Sequence, residues 1–290
     1  MGNSIFKIVG SVFLLISLFS CSKERIETSK NSYQSMNDYL DSKKQEEQTF
    51  IITEEGECPI TGKEGTKICG SKTVLTPSVD WPYTVKLVEL LNPKEMIYYQ
   101  HSNVNSNGFL TNDGEIRVLA EKDGTSLTIN SNSTWQVEFP NSSPLTEMKV
   151  FQGSSSSDQV TWNTTSSGNY TTSSYGYLGY FNAFGWVSVA KQANTPSATI
   201  TISLTSETDE LENVITYIYL TDYKSLTQAQ NQSATGIPSG VQFTVIMMAT
   251  DSNGDFYTYT SNQTLSVDTS IDVTLSKVSE ADMTAMLDKL

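Results

Sequence analysis

Residues 107–127, which read NGFLTNDGEIRVLAEKDGTSL, decide the fold class. Polar and apolar side chains alternate over residues 115–121, which is the period of a strand with one buried face. Asn-Gly or Asp-Gly pairs stand at residues 107–108, 113–114 and 123–124, and glycine adopts the positive φ angles that tight hairpins require. The stretch therefore predicts short antiparallel strands joined by hairpin turns.

Short alternating runs separated by turn residues extend over most of the chain. The chain has 14 Tyr, 11 Phe and 4 Trp, and aromatic residues fit pleated surfaces. The expected strands are residues 49–53, 66–69, 83–90, 115–121, 126–129, 134–139 and 148–152, then 198–204, 214–220, 241–250, 256–261 and 271–275. We therefore expect an all-β protein of two β-sandwich-like domains, at residues 50–153 and 175–278.

Segments outside the two expected sandwiches have a different composition. Residues 21–49 are polar and predict a tether with a short helix, and residues 154–174 are rich in Ser and Thr and predict an exposed connector. Residues 279–290 predict a short C-terminal helix, because Ser279 and Asp282 have the spacing of a helix cap. Its apolar stripe consists of Met283, Met286, Leu287 and Leu290.

The first twenty residues have the pattern of an export signal. Lys7 precedes an apolar run over residues 8–19, which is shorter than the roughly 20 residues that cross a membrane. The four residues Leu18, Phe19, Ser20 and Cys21 resemble the lipobox of lipoproteins that signal peptidase II cleaves. The resemblance implies that residues 1–20 are removed and that Cys21 carries the lipid that anchors the chain to a membrane. An ordinary signal peptide followed by a chance cysteine is the alternative.

Residues directly after Cys21 bear on which membrane holds the anchor. Ser22 stands where an aspartate would retain enterobacterial lipoproteins in the inner membrane, so outer-membrane sorting is favoured. The run Ser22, Lys23, Glu24 is similar to the export signals of surface lipoproteins in Bacteroidota, which implies exposure at the cell surface. Polar residues of this kind are also common in any tether.

The charge balance restricts the partners. The chain has 32 acidic and 18 basic residues and a net charge of −14. Such a surface repels nucleic acid, so no nucleic-acid partner is expected. Dispersed solvated carboxylates explain the acidity better than a divalent-cation site, because no dense acidic cluster exists. No cofactor is expected.

Cys58 and Cys69 form an even pair in an exported chain, where disulfides persist. Gly62 and Gly65 lie between them and suit a tight reversal that brings the two cysteines together. A disulfide here would contribute about 2–3 kcal/mol to stability in the chain-entropy model. The alternatives are two free thiols, or zinc, which requires four ligands that the chain does not offer.

Catalytic patterns are weak throughout the sequence. His101 is the single histidine and lies in QHSNVNSNG, residues 100–108, which predicts an exposed polar loop. No Gly-x-Ser-x-Gly elbow accompanies it, so no catalytic residue and no enzyme are expected. A carboxylate pair for glycoside hydrolysis remains an alternative, because such pairs meet in space and not in sequence.

Asp251, Asn253 and Asp255 have the alternate spacing that begins an EF-hand calcium loop. Phe256 stands where that loop requires glycine, and no glutamate follows at its twelfth position. A hairpin turn at Asn253 and Gly254 explains the same residues, so no metal site is expected.

An aromatic block at residues 175–186 is the candidate ligand-binding feature. Tyr175, Tyr177 and Tyr180 are interspersed with glycines and predict an exposed platform, which would suit the apolar face of a sugar. Phe184 and Trp186 alternate with Gly185 and Val187, which favours core packing for these two rings.

Several segments together resemble a family: ITGKEGTKI at residues 60–68, VKLVELLNPKEMI at 85–97, residues 107–127, and FGWVSV at 184–189. They look like uncharacterised lipoproteins of Bacteroidota with repeated β domains, and the first domain loosely resembles the ZU5 type. The resemblance implies interaction in place of catalysis and brings no known active site. Cys58 and Cys69 depart from the pattern.

These observations lead to two expected functions. The first is a lipid-anchored, non-enzymatic binding or assembly module at the outer membrane, with an envelope protein as partner. The alternative is a carbohydrate-binding surface lipoprotein of a glycan-uptake system.

Overall fold

A computed structural model describes residues 33–54, 60–156, 159–193, 199–206, 211–264 and 268–290. The predicted signal peptide, Cys21 and Cys58 lie outside these residues. The described chain is mostly β-strand with small helices, as predicted: α1 (Met36–Lys43), α2 (Pro93–Tyr98) and α3 (Glu280–Leu287). Among the described residues, no helix is both long enough and apolar enough to cross a bilayer.

The strands of the first two thirds of the chain are β1 (Gln48–Ile52), β2 (Ile60–Thr61), β3 (Lys67–Cys69), β4 (Leu75–Thr76), β5 (Tyr83–Leu90), β6 (Val104–Asn105), β7 (Gly108–Lys122), β8 (Thr125–Ser126), β9 (Thr128–Ile129), β10 (Trp135–Pro140), β11 (Lys149–Ser156), β12 (Gln159–Asn169), β13 (Thr171–Thr172), β14 (Gly176–Phe181) and β15 (Gly185–Gln192). The remaining strands are β16 (Thr199–Ser206), β17 (Leu211–Leu220), β18 (Ser225–Gln228), β19 (Ser233–Pro238), β20 (Gln242–Asp251), β21 (Phe256–Thr264), β22 (Thr269–Val273) and β23 (Ser276–Val278).

The first sandwich consists of two antiparallel sheets. Sheet I has the order β1-β5-β7-β15-β11-β12, with β6 and β8 paired to β7, and sheet II has the order β13-β14-β10-β3-β2. Alternate residues of β5, such as Tyr83, Val85 and Leu87, pack into the core between the sheets with Val137 and Phe139 of β10. The small pair β4-β9 adds Leu75 and Ile129 to the same core.

The expected boundary at residues 153 and 175 is wrong. Strand β15 lies between β7 and β11 in sheet I, and β13 and β14 belong to sheet II. The first sandwich therefore extends to about residue 193. The reason is topological: β15 follows sheet II in sequence and returns to the centre of sheet I, which no local pattern indicates.

The Ser/Thr-rich segment at residues 154–174 is not an exposed connector. The strands β11 and β12 form an antiparallel hairpin at the edge of sheet I, and β13 pairs with β14. Trp162 on β12 is fully buried and packs against the helices. Serine and threonine occupy this hairpin because it is an edge with one solvated face, where polar residues are tolerated.

The second sandwich packs sheet III, of order β18-β17-β20-β21-β23, on the three-stranded sheet IV, of order β19-β16-β22. Strands β16 and β22 pair in parallel, and the other pairs in these two sheets are antiparallel. The core between the two sheets includes Ile218, Phe243, Val245 and Met247 of sheet III together with Ile271 of sheet IV.

A helical layer covers the outer faces of sheets I and III. Successive residues of β17 and β20 alternate between two cores, so that Ile246 and Met248 contact the helices while Val245 and Met247 face sheet IV. This explains the unbroken apolar run VIMMA, which is typical of strands buried on both faces. The same helical core includes Trp162 and Trp186 of sheet I.

Helix α1 belongs to this layer and is not part of a solvated tether. Its residues Met36, Tyr39 and Leu40 are fully buried, and Tyr39 contacts Phe256 of β21 with ring centroids 4.9 Å apart. The sequence pattern did not indicate that α1 packs on the rest of the protein. A helix of eight residues with three apolar positions gains its stability from packing and not from its own propensity.

The predicted cap of α3 is confirmed, because Ser279 and Asp282 form a capping box. The structure adds two caps that were not predicted: Ser35 and Asn92 accept hydrogen bonds from backbone N–H groups at the starts of α1 and α2. The pair Asp123 and Gly124 forms the two-residue turn between β7 and β8 with positive φ angles of 51° and 78°.

The turn predicted at Asp113 and Gly114 is wrong. Both residues lie inside β7, where the pairing with β15 shifts register between Ser188 and Ala190. Gly114 has a φ of 142°, so this glycine allows the irregular backbone at the register shift inside β7. It does not form a hairpin turn.

Candidate functional site

The cleft with the richest side-chain chemistry lies between α1 and the outer face of sheet I. We call it the Trp186 cleft; it has a volume of about 480 Å³. Its lining consists of Asn37, Asp41, Lys44, Tyr99, Gln100, His101, Arg117, Ser155, Val160 and Trp186. A volume of this order is in the range of small-molecule sites.

Regular structure places each wall of the Trp186 cleft. Asn37 and Asp41 have the i, i+4 spacing that puts side chains on one helix face, and Lys44 follows the last residue of α1. On the opposite wall, Trp186 of β15 pairs directly with Arg117 of β7 in the sheet register. The elements that carry these side chains are packed on the helical core, so the cleft is preformed.

Two cations of the cleft lie over aromatic rings. The Arg117 guanidinium is 5.5 Å from the ring centroid of Trp186, and its Nη2 donates to Glu47 at 2.9 Å. Lys44 Nζ is 5.4 Å from the ring centroid of Tyr99 and 2.6 Å from Asp41 Oδ1. Both cations are about one third exposed, so they remain accessible from the cleft.

The expectation of an exposed His101 is wrong. Its side chain is 3% exposed, and its Nδ1 lies 2.6 Å from Glu115 Oε2, which is fully buried. Asn103 and Asn112 donate to Glu115 Oε1 at 2.5 and 2.8 Å. The polar side chains of this loop are buried, and they form hydrogen bonds with other polar groups inside the protein.

This polar network holds the floor of the cleft. The His101 ring packs edge-on against Trp186, with centroids 4.3 Å apart. Asn103 links the network to sheet III, because its Oδ1 accepts from the backbone N–H of Leu226 at 2.8 Å. Both oxygens of Glu115 accept hydrogen bonds from protein donors, which suits a structural anchor that fixes the side chains around it.

The tyrosines proposed as a platform do not form one surface. Tyr177 is 1% exposed and its hydroxyl donates to Asp113, so its predicted exposure is wrong. The Tyr175 hydroxyl donates to the Gly65 carbonyl, and Lys67 Nζ lies 4.0 Å from the ring centroid. Tyr180 is 44% exposed. The alternation of glycine and tyrosine did not reveal that Tyr177 points into the core of the first sandwich.

A second groove lies where α3 leaves part of sheet III uncovered. It has a volume of about 710 Å³ and includes Thr244, Thr258, Tyr259, Asn262 and Met286. The hydroxyl of Thr258 donates to the Met247 carbonyl at 2.9 Å, and Thr244 donates to Asn262 Oδ1 at 2.7 Å. The sheet side of the groove is rich in threonine, and the helix side carries apolar Met286 and Leu290 as well as charged Asp282 and Lys289.

The cysteine pair is described in part. Cys69 ends β3, and its Sγ accepts a hydrogen bond from Gln136 Nε2 at 3.5 Å. Cys58 lies outside the described residues, as does the lipidation site Cys21. The disulfide and the lipid therefore stay predictions.

The Asp251 loop is a hairpin turn that uses its own carboxylate. Asp251 Oδ1 accepts from the backbone N–H groups of Asn253 and Asp255, each at 2.9 Å. Desolvation raises the pKa of Asp251, but these hydrogen bonds outweigh it and the net pKa is lowered. Within the described ranges, no group of three or more His, Cys, Asp or Glu side chains is arranged to hold a metal ion.

Sequence reasoning missed Glu89, a fully buried carboxylate on β5. It accepts from Gln48 Nε2 at 2.8 Å and from the backbone N–H groups of Glu64 and Thr66 at 3.0 Å. A Cβ on Gly62 would lie 2.3 Å from its Oε2, so only glycine fits there. The signal was the glutamate inside the apolar run VKLVELL, because a charge in a buried strand requires donors.

Comparison with known proteins adds little. No protein family and no curated protein matches the chain. A solved structure of a DUF4876 family protein from Bacteroides thetaiotaomicron is 20% identical over 28% of this chain, with a TM-score of 0.20. The match spans 24% of that protein, and at this TM-score it carries no argument about fold or function.

Proposed function

We propose that the protein is a non-enzymatic binding or assembly module, held at the outer membrane by a lipid on Cys21. The observation that supports binding is the Trp186 cleft, which rigid elements preform and which carries aromatic, amide and charged side chains. Sites of this kind fix a ligand by a few placed polar groups. The predicted anchor would keep such a module at the envelope.

The ionisable groups around the cleft favour binding over catalysis. Glu115 accepts hydrogen bonds from His101, Asn103 and Asn112. A carboxylate on Nδ1 is also the arrangement that orients a catalytic histidine, but the His101 side chain is only 3% exposed, which restricts the access of a substrate to its ring. The pair therefore acts as a frame for the cleft.

A glycan is the second candidate for the bound partner. The half-buried ring of Tyr99 lies beside Asn37 and Gln100 in this cleft, whereas Trp186 is 5% exposed and supports the wall from the helical core. Sugars present apolar C–H faces to aromatic rings and hydroxyls to amides. The candidate platform thus moves from Tyr175, Tyr177 and Tyr180 to this cleft.

Co-purification tests the proposal. The tagged full chain is isolated in mild detergent from the envelopes of its own host, and the retained proteins and glycans are identified by mass spectrometry. We expect a partner that Gln100→Gly loses and that the control Lys122→Gln, on the turn after β7, keeps. Retention of the same partner by both variants, or turnover of a retained glycan by the purified protein, would contradict it.

A further inference from the structure

Sheet III has an open backbone edge. Strand β21 pairs with β20 along its whole length, whereas β23 pairs only with Phe256, Tyr257 and Thr258 on its other side. Over residues 259–264, that side of β21 has no backbone partner in the part of the chain that the structure describes. Such an edge presents a row of unpaired N–H and C=O groups, and the element that satisfies them is another extended strand.

This edge lacks the features that usually protect an edge strand. Natural proteins prevent further pairing with charged residues, proline or bulges. Strand β21 reads FYTYTSNQT, which contains no charge and no proline, and its register with β20 does not shift. Its tyrosines and threonines favour β structure. The strand is therefore able to pair with a further strand.

The groove beside α3 leaves this edge accessible. Its volume is about 710 Å³, and it includes Tyr259, Thr260 and Asn262 of the open stretch. Thr260 and Asn262 are exposed, and α3 forms the opposite rim with Met286 and Leu290. Helix α3 therefore lies beside the open edge without closing it.

The charge of the chain favours a second copy as the partner at this edge. The net charge is −14, so two copies repel each other over much of their surfaces. The open stretch adds no charge, and the groove rim carries one carboxylate, Asp282, and one ammonium, Lys289. A two-fold axis brings one patch onto its own copy, so the lysine of each copy can face the aspartate of the other. Two copies therefore meet here with little repulsion.

Symmetry also suits the predicted anchor. Antiparallel pairing of two β21 edges extends sheet III across a two-fold axis perpendicular to the sheet, so both helical layers lie on the same face. Tyr33 belongs to that layer, where its ring centroid lies 6.0 Å from that of Phe256. Both copies of Tyr33 are then on one side of the dimer, as two lipids in one membrane require.

We propose that the protein forms a symmetric dimer through the open edge of β21, in which residues 259–264 of two copies pair as antiparallel strands. The backbone groups that have no partner in one copy bind those of the other. The dimer adds a self-association surface to the proposed assembly function, and only the position of the two anchors rests on that function.

Sedimentation of the full chain in detergent, with micelles in large excess, tests this inference. We expect a concentration-dependent dimer. The double variant Thr260→Lys, Thr264→Lys should weaken it about tenfold or more, because like charges on paired strands repel each other. Both threonines are exposed, so the fold should tolerate the change.

The matched control is the double variant Thr161→Lys, Asn163→Lys on β12, which is the edge strand of sheet I. Both residues are exposed, and the control changes the net charge by the same amount. It should form a dimer as the parent does.

Cysteine cross-linking locates the contact in native envelopes. Asn262 lies within the open stretch, so Asn262→Cys should give a covalent dimer with a short thiol cross-linker, and the parent chain gives the background. Asn163→Cys, at an equally exposed position on β12, should give no more than that background. The Thr260→Lys, Thr264→Lys changes should lower the cross-linking of Asn262→Cys about tenfold.

A parent that is monomeric at every concentration, a dimer that the two lysines on β21 leave intact, or equal cross-linking of Asn262→Cys and Asn163→Cys would overturn the inference. Cross-linking of Asn262→Cys to a different envelope protein would also overturn it, because another chain then occupies the edge. If the parent is monomeric but Gln100→Gly still loses the co-purified partner, the dimer is wrong and the binding function stands. If the dimer forms as expected and no partner or glycan is retained from envelopes, the binding function is wrong and the dimer stands.

Discussion

Two tyrosine hydroxyls are buried without a hydrogen bond to another described residue. Tyr170 and Tyr217 have no hydrogen-bond partner for the hydroxyl among the described residues. Burial raises the pKa of both hydroxyls well above the ordinary value. A buried unpaired hydroxyl costs free energy, so these residues contribute through their rings.

Tyr217→Phe should therefore leave the free energy of unfolding at pH 7 unchanged or raise it by up to about 1 kcal/mol. Above about pH 10 the unfolded tyrosine ionises while the folded one stays neutral, so stability falls by about 1.4 kcal/mol per pH unit for each such group. Tyr217→Phe removes one group from this loss. Thermal unfolding between pH 8 and 11 measures the slope, and a slope as steep as that of the parent would contradict it.

The matched control is Tyr180→Phe. Tyr180 is exposed, so removal of its hydroxyl should leave the free energy of unfolding at pH 7 unchanged. The double variant Tyr170→Phe, Tyr217→Phe should be flatter than either single variant, because the two rings lie in different cores and their effects should add.

Single residues show where sequence reasoning succeeds. The Ser279 cap and the Asp123 turn were predicted because each depends on neighbours within a few positions. The burial of His101 and of Tyr177 was not, because Glu115 and Asp113 reach them only in the folded chain. Residue identity alone does not say where a distant partner lies.

At the scale of elements, helix α1 links the two sandwiches. Leu40→Ala should lower the free energy of unfolding by about 2–5 kcal/mol, because Leu40 is fully buried in the helical core. Asn37→Ala, on the exposed face of the same helix, should cost about 0.5 kcal/mol or less. Urea denaturation compares the two, and equal small effects would mean that α1 is a tether after all.

The loop before β3 carries the predicted disulfide. Cys69→Ser should lower the free energy of unfolding by about 2–3 kcal/mol if Cys58 is its partner, because the bridge closes a short loop. The denatured parent should then react with a thiol reagent at neither cysteine until it is reduced. Cys58→Ser should cost the same amount. Two reactive thiols in the unreduced parent would refute the pairing.

Strands were predicted correctly where polar and apolar residues alternate regularly. The order of the strands in the sheets, which depends on the chain connections, was not predicted. Strand β5 (Tyr83–Leu90) was predicted at its observed bounds, and β20 nearly so. The placement of β15 in sheet I was not predicted, because strand order depends on which edges remain free after folding. The domain boundary was wrong for the same reason.

At the scale of the molecule, the two sandwiches share one helical core. That core contains Trp186 of sheet I together with Ile246 of sheet III and Leu287 of α3. The hydrogen bond from Leu226 to Asn103 adds a polar link between the two sheets. The Trp186 cleft lies at the edge of this shared layer, so its shape depends on both halves of the chain.

The cellular location of the protein depends on the predicted signal peptide and on the predicted lipidation site, Cys21. If Cys21 carries the lipid, Cys21→Ala should abolish labelling by radioactive palmitate and leave residues 1–20 uncleaved, because the thiol is the acceptor and modification precedes cleavage in this class of signal. The membrane affinity of the anchor scales at about 0.8 kcal/mol for each buried methylene. The variant should therefore lose its lipid anchor.

The control is Ser20→Ala, which changes the residue before the cysteine to another small one and should be labelled and processed normally. Cell fractionation and palmitate labelling of the parent and both variants give the result. Label that persists in Cys21→Ala, or processing at the same site, would contradict the lipid anchor. Membrane anchoring and ligand binding can thus be tested independently, because Cys21 is not part of the Trp186 cleft.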